Sequence, residues 1–468
     1  MRERAAPPVL LLCVVGLTPR LLAHAPRLRA LADAGALASL EPPLPAVTST
    51  SQATMLTGAP PAVHGIVANG WYFRELAEVW FWRQSNRLLQ GEQLWQAARR
   101  VRPRARLAKL FWWFNMYAPV DLAVTVRPHY PADGRKIPGI YTEPPELERE
   151  LEERLGPFPL FRFWGPAADL ASSRWIAEAA LAVWHGHRPD LMAVYLPHLD
   201  YDAQRYGPDD ERVLRAVGEV DRLAGALVEV ARAAGGAVLV VSEYGLEPVR
   251  RALHPNRALR EAGLLRVRAS RWTGELLDAG ASRAFAVCDH QIAHVYVRDP
   301  QDLGRVREVL GRLEGVAEVW GAEQLREAGL GHPRAGELVL LAAPDAWFAY
   351  PYWLDEACAP DFARTVDIHR KPGFDPLELW LEPGVRTRLR LAWRLVQKAL
   401  GMRYLMDVIA RDERLVGGSH GLVPSEPERG PLVIGWPADL LPAGRERLPM
   451  GEVKALVLRA LARERALA

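Results

Sequence analysis

With 468 residues the chain can bury a large core, as one big domain with insertions or as two or three domains. Apolar content of 49% and charged content of 25% are ordinary globular values, and a net charge of +3 gives no sign of a nucleic-acid surface. Three scattered cysteines, Cys13, Cys288 and Cys358, make neither a CxxC pair nor a disulfide framework, which fits a reducing, cytoplasmic setting.

The N-terminus reads in two ways. Arg2 and Arg4, an apolar run over 8–17 and the triplet Ala23-His24-Ala25 imitate an export signal within residues 1–25. The competing reading, which we prefer, is a buried parallel strand over 9–17 (VLLLCVVGL) followed by a helix to residue 34. No stretch of 18 apolar residues occurs, so no transmembrane span is expected.

Residues 45–70 read PAVTSTSQATMLTGAPPAVHGIVANG. The hydroxyl run Thr48-Ser49-Thr50-Ser51 precedes a helix-like segment, 52–56, and is placed to cap it. A helix N-terminus gathers unpaired N–H groups and a dipole that favours an anion. The plain alternative is a cap and a loop.

Residues 71–141 are dense in aromatics, with Trp71, Trp80, Trp82, Trp112 and Trp113 among them. They suit a core or the wall of an apolar pocket. A polar loop with Arg135 and Lys136 and a charged helix over 146–155 follow. Residues 172–187 read as a helix and 190–196 (DLMAVYL) as a buried strand. The segment after it holds His198, Asp200 and Gln204 at the carboxyl end of a strand, where open α/β sheets bind ligands. A long amphipathic helix over 209–234 leads to a buried strand over 237–241, which ends in Ser242-Glu243-Tyr244-Gly245.

Residues 284–297 read as a strand pair or one long strand carrying Asp289, His290 and His294. A period of two puts both histidines on one face, as core groups or as phosphate or metal contacts. The polar cluster Asp367, His369, Arg370 and Lys371 is either a solvated loop or a phosphate contact, since guanidinium forks fit phosphate. Residues 389–409 read as a helix, 417–421 as a GGSHG loop with His420, 431–435 as a last strand and 452–467 as an Arg-rich amphipathic helix. The fold class is α/β, a mostly parallel central sheet with helices on both faces. We divide it into core (1–70), aromatic insertion or cap (71–165), core (166–283), a small α+β subdomain (284–345) and a return to the core (346–468).

The pattern P-x-x-T, A-T-M-L-T-G, Pro, H-G-I-V-x-N across residues 45–69 resembles the nucleophile segment of the nucleotide pyrophosphatase/phosphodiesterase branch of the alkaline phosphatase superfamily. Three later segments are similar to the family's metal-binding landmarks: PHLDYDAQRYGP to p-D-x-x-x-H-x-x-G-P, SEYG to S-D-H-G and GGSHG to G-x-H-G. The resemblance implies Thr48 as the nucleophile and Asp200, Gln204, Glu243 and His420 at the metal positions. Three positions depart from it: Val15 stands for an Asp, Gln204 for a His and Tyr244 for a His. An amide is a weak ligand and a phenol with a pKa near 10 a rare one.

The resemblance therefore implies a metal-dependent hydrolase of a phosphodiester, pyrophosphate or phosphate ester, with fewer than two tight divalent sites for Zn, Mg or Mn. Ser51, Gln52, Asn69, His290, His294, His369, Arg370 and Lys371 are its candidate substrate contacts. A sulfatase is disfavoured, because Thr48 lacks a C/S-x-P-x-R context. The alternative is a non-catalytic scaffold that binds a small phosphometabolite. The oligomeric state is left open.

Overall fold

The run of apolar residues from Val9 becomes the middle of a nine-stranded sheet. The structure, a computed structural model, describes residues 7–133 and 135–463. Across the sheet the strands are Arg447–Pro449, Ala36–Glu41, Leu432–Trp436, Ala237–Val241, Val9–Val14, Leu191–Leu196, Leu107–Leu110, Leu122–Val126 and Ile140–Glu143. Neighbours run parallel except at Leu432–Trp436 and at the edge strand Ile140–Glu143. Val9–Val14, Leu191–Leu196 and Ala237–Val241 are buried along their whole length, which is why they read as unbroken apolar runs.

Two groups of helices cover the sheet. Pro26–Ala34, Leu170–His187 and Glu211–Ala233 pack on one another, as do Thr48–Thr57, Leu94–Val101 and Glu452–Leu461, and both groups touch Val9–Val14. Cys13 pairs with Tyr195 on one side and Val241 on the other, so three central strands end at the same level. That shared carboxyl end is where the polar segments emerge.

Residues 71–165 depart from expectation. They are not a separate cap, because Leu107–Leu110, Leu122–Val126 and Ile140–Glu143 complete one side of the central sheet. Several of their aromatics are core, with Trp71, Trp112 and Trp113 buried, while Trp80 and Trp82 are half-buried. A second, antiparallel sheet of four strands forms from Ala284–Asp289, Ile292–Val297, Leu338–Ala342 and Val316–Trp320. The helix expected at 389–409 runs instead over Val385–Ala399. Residues 1–6 of the N-terminal reading and 464–467 of the tail helix lie outside the described residues, and the tail helix spans Glu452–Leu461. Among the described residues no helix is long and apolar enough to cross a membrane.

Candidate functional site

The hydroxyl run does not cap the next helix; it is that helix's first turn. Thr48–Thr57 begins at Thr48, with the extended Val47 before it and no side-chain cap bond. The Thr48 hydroxyl therefore sits beside first-turn N–H groups that have no partner within the helix. One of them, Ser49 N–H, donates to Asn69 Oδ1 at 2.9 Å. Asn69 is fixed in turn by Asp289, whose carboxylate accepts from the Asn69 backbone N–H at 2.8 Å and from Nδ2 at 3.1 Å.

His420 reaches the same place because the loop before it has almost no side chains. A Cβ on Gly418 would lie 2.2 Å from the Ala203 carbonyl oxygen, so only glycine lets this loop press onto helix His198–Tyr206. Gly417 N–H then donates to the Gln204 carbonyl at 2.9 Å.

Four side chains form a connected line. Tyr244 Oη donates to Asp200 Oδ1 at 3.2 Å and lies 3.3 Å from Thr48 Oγ1. With Asp200 ionised, the phenol's one proton goes to the carboxylate, and the Thr48 hydroxyl is then the donor in its bond with Tyr244. Gln204 Nε2 donates to Asp200 Oδ2 at 2.7 Å, so both carboxylate oxygens are engaged by neutral donors. Tyr244 stacks on His420 with ring centroids 3.6 Å apart. The His420 Nδ1–H donates to the Ala46 carbonyl at 2.9 Å, which leaves the Nε2 lone pair available.

Glu243 lies within the same cluster, fully buried. Its Oε1 accepts from Gln52 Nε2 at 2.5 Å and from Cys13 Sγ at 3.6 Å, while its Oε2 is buried without a partner. Gln204 Oε1 is likewise unpartnered. Burial pushes the Asp200 carboxyl up to about 7, against the hydrogen bonds from Gln204 and Tyr244. Burial, with the neighbouring Asp200 charge, pushes Glu243 up to about 8. Burial lowers His420 to about 3, so its ring is neutral at ordinary pH.

Two zinc ions do not fit this donor set. Among the described residues no three His, Cys, Asp or Glu side chains cluster in position to hold a metal. Val15 offers no donor, Gln204 turns its NH₂ toward Asp200, and Tyr244 fills the third position with a phenol. The buried oxygens left open, Glu243 Oε2 and Gln204 Oε1, are of the kind that one hard cation such as Mg²⁺ or Mn²⁺ accepts.

The other expected contacts divide. Ser51 Oγ donates to the Glu243 carbonyl at 3.1 Å, and Gln52 Oε1 accepts from Trp113 N–H at 2.7 Å, so both residues brace the cluster. His290 stands at the rim, in the left-handed region at φ +61°, its ring 3.7 Å from that of His420 and 3.8 Å from that of Phe374. His294 does not join it, because the chain reverses at His290-Gln291 between two paired strands and breaks the expected shared face. Its Nδ1 accepts from Gly336 N–H and its Nε2–H donates to the Val67 carbonyl, a structural role.

The cluster at 367–371 finds partners of its own. Arg370 pairs with Asp361 at 2.6 Å. His369 Nδ1 lies 3.4 Å from the Phe81 carbonyl. Lys371 is buried between Asp375 and Glu378, at 2.7 Å from each, and cannot turn to a phosphate without leaving both. It lines a shallow recess, with room for about 10 Å³, beside Trp82, Trp164 and Phe374. His198 bonds Glu219 at 3.0 Å rather than approaching Asp200. Sequence reasoning passed over Cys13, which touches Glu243; its place on a central strand two residues before Val15 was the available signal.

Comparison with known proteins gives a family and a fold. A model of the family described as type I phosphodiesterase / nucleotide pyrophosphatase matches residues 9–375. No curated protein matches the chain. Among solved structures, the chain is similar to phosphonoacetate hydrolase from Sinorhizobium meliloti 1021 in complex with phosphonoformate. That match has 16% identity and a TM-score of 0.61, over 97% of this chain and 96% of that one. It is also similar to inactive murine ectonucleotide pyrophosphatase / phosphodiesterase 5 in complex with AMP, with 14% identity and a TM-score of 0.58, over 97% of this chain and 95% of that one. Likeness at these identities speaks for a common α/β fold, and the family match speaks for descent. The chain belongs to the type I phosphodiesterase / nucleotide pyrophosphatase family of phosphoester hydrolases.

Proposed function

We propose that this chain hydrolyses a small phosphoester, a phosphodiester, pyrophosphate or phosphate monoester, with the Thr48 hydroxyl as nucleophile. The observation that carries the reading is the hydrogen-bonded line from Thr48 through Tyr244 to Asp200 at the start of a helix. As Thr48 Oγ1 bonds to phosphorus, its proton passes to Tyr244 Oη while the phenol's own proton passes to Asp200 Oδ1. The P–O bond to the leaving group breaks, and the proton held on Asp200 is available to the departing oxygen. Water then attacks the phosphorus, the bond to Thr48 Oγ1 breaks, and a proton from that water restores the Thr48 hydroxyl. The first-turn N–H groups favour the anionic group being attacked.

In this reading Asp200 serves as proton acceptor more than as ligand. One hard divalent cation would be held by Glu243, Gln204 and Thr48, with His420 Nε2 as the nitrogen donor nearby. Such an ion supplies positive charge that makes a weakly acidic hydroxyl a competent nucleophile and offsets charge on phosphoryl oxygens. Elemental analysis of purified protein is expected to give at most about one tightly held divalent ion per chain, the number this donor set supports. Two zinc ions per chain would contradict it.

The relay makes a second expectation. Asp200 must be ionised to accept a proton, and its carboxyl sits at about 7, so kcat/KM rises with pH toward neutrality. Tyr244→Phe keeps the ring stacked on His420 but removes the oxygen that joins Thr48 to Asp200. It is expected to lose roughly 10-fold or more in kcat and to lose that pH dependence. An unchanged profile in the variant would take Tyr244 out of the mechanism. A second reading, phosphometabolite binding without turnover, is favoured by the absence of a three-ligand cluster among the described residues. It predicts ligand binding with no hydrolysis under any divalent ion.

A further inference from the structure

The helix Val385–Ala399 is amphipathic with the wrong side out. Helices of globular proteins turn their apolar stripe to the core. Here Val385, Leu389, Trp393, Val396 and Leu400 follow the i, i+4, i+8, i+11, i+15 spacing of one stripe. All five are exposed, at 69%, 66%, 54%, 46% and 69%. No residue of this helix is buried.

The opposite face ties the helix down. Arg390 and Arg394 both reach Asp407, at 3.3 Å and 3.1 Å, in the returning strand of chain. Lys398 lies 5.0 Å over the Phe161 ring. The segment leaves and rejoins the body at one place, where Leu381 pairs with Ile409. It is an arm with fixed roots, holding a row of apolar side chains in water.

Charge says what covers that row. From Pro383 to Met406 there are six basic residues, Arg386, Arg388, Arg390, Arg394, Lys398 and Arg403, and no acidic one. This concentration contrasts with +3 for the whole chain. Arg386 and Arg388 flank the apolar row on its two sides and have no acidic partner on the arm. A second copy docked face to face would set these arginines against their equivalents with nothing negative between them. A surface that is apolar within and anionic at its rim satisfies both features, and that is the surface of an acidic bilayer. Trp393, in the middle of the row, is a residue that favours the headgroup boundary. At about 1.5 Å per residue the helix measures about 22 Å, too short to cross a bilayer and long enough to lie on one.

We infer that the 385–400 arm docks this protein on membranes rich in anionic lipid, apolar row inward and arginines at the headgroups. The test is sedimentation of the full-length protein with vesicles. Phosphatidylcholine vesicles containing phosphatidylglycerol are expected to carry the protein down, and phosphatidylcholine alone to retain it at least about 10-fold less strongly. Raised salt should release it. Leu389→Glu with Trp393→Glu should lower vesicle affinity at least about 10-fold while leaving thermal unfolding unchanged, since both side chains already face water.

Failure of the unaltered protein to bind acidic vesicles overturns the inference, as does equal binding by the double variant or to neutral lipid. A dimer in analytical ultracentrifugation that the double variant dissolves also overturns it, by assigning the row to a second copy. The inference is independent of turnover at Thr48.

Discussion

Thr48→Ala is expected to lower kcat/KM for bis-p-nitrophenyl phosphate at least about 100-fold, or about 2.7 kcal/mol of barrier. The substitution removes one hydroxyl from the start of a helix whose other contacts, Ser49 to Asn69 and Ser51 to Glu243, stay in place. Binding of a non-hydrolysable phosphonate should therefore survive while turnover does not. Thr48→Ser keeps the attacking oxygen and should recover most of the loss. Retained activity in the alanine variant would remove Thr48 from the chemistry; loss of binding along with activity would instead make it a recognition group.

The second large effect concerns stability. Lys371→Met is expected to destabilise the fold by about 3–5 kcal/mol, because it leaves Asp375 and Glu378 buried and facing one another without their common counter-charge. Burial works against the Lys371 ammonium, yet its two carboxylate neighbours raise its pKa on balance and keep it charged. Arg370→Ala next to it should cost less than about 1 kcal/mol, since the Arg370–Asp361 pair is open to solvent. Denaturant midpoints of the two variants decide the matter. Comparable losses would mean that the interior ion cluster contributes no more than a surface pair.

The central sheet was legible because its strands obey one rule. Residues 9–14, 191–196 and 237–241 are buried on both faces and so carry no polar residue to blur the pattern. The meeting of Thr48, Asp200, Glu243 and His420 was legible only through fixed motif spacing, since the four are separated by most of the chain. The hydrogen bonds among them were not. Tyr244 read as a lost ligand, whereas its phenol links Thr48 with Asp200. Spacing specifies where a side chain starts and says nothing of which acceptor its proton meets.

The misses have the same physical origin. His290 and His294 looked like one face because a period of two assumes an unbroken strand, and a left-handed residue at position 290 turns the chain back. Lys371 looked like a phosphate contact because its carboxylate partners, four and seven residues on, do not announce themselves in a loop. The strands within 71–165 were hidden because they are only four or five residues long and interrupted by aromatic turns.

The antiparallel strand Leu432–Trp436 lies between Ala36–Glu41 and Ala237–Val241 in the sheet, though it comes close to last in the sequence. A nascent chain emerging from the ribosome thus holds a gap in its sheet until residues 432–436 have been made. Until then the backbone of Ala237–Val241, from which Glu243 and Tyr244 project, has an open edge. That edge is closed by a reciprocal pair of bonds, Ser242 N–H to the Leu432 carbonyl at 3.1 Å and Leu432 N–H to Ser242 Oγ at 2.9 Å, so the last-inserted strand clamps the residue next to Glu243.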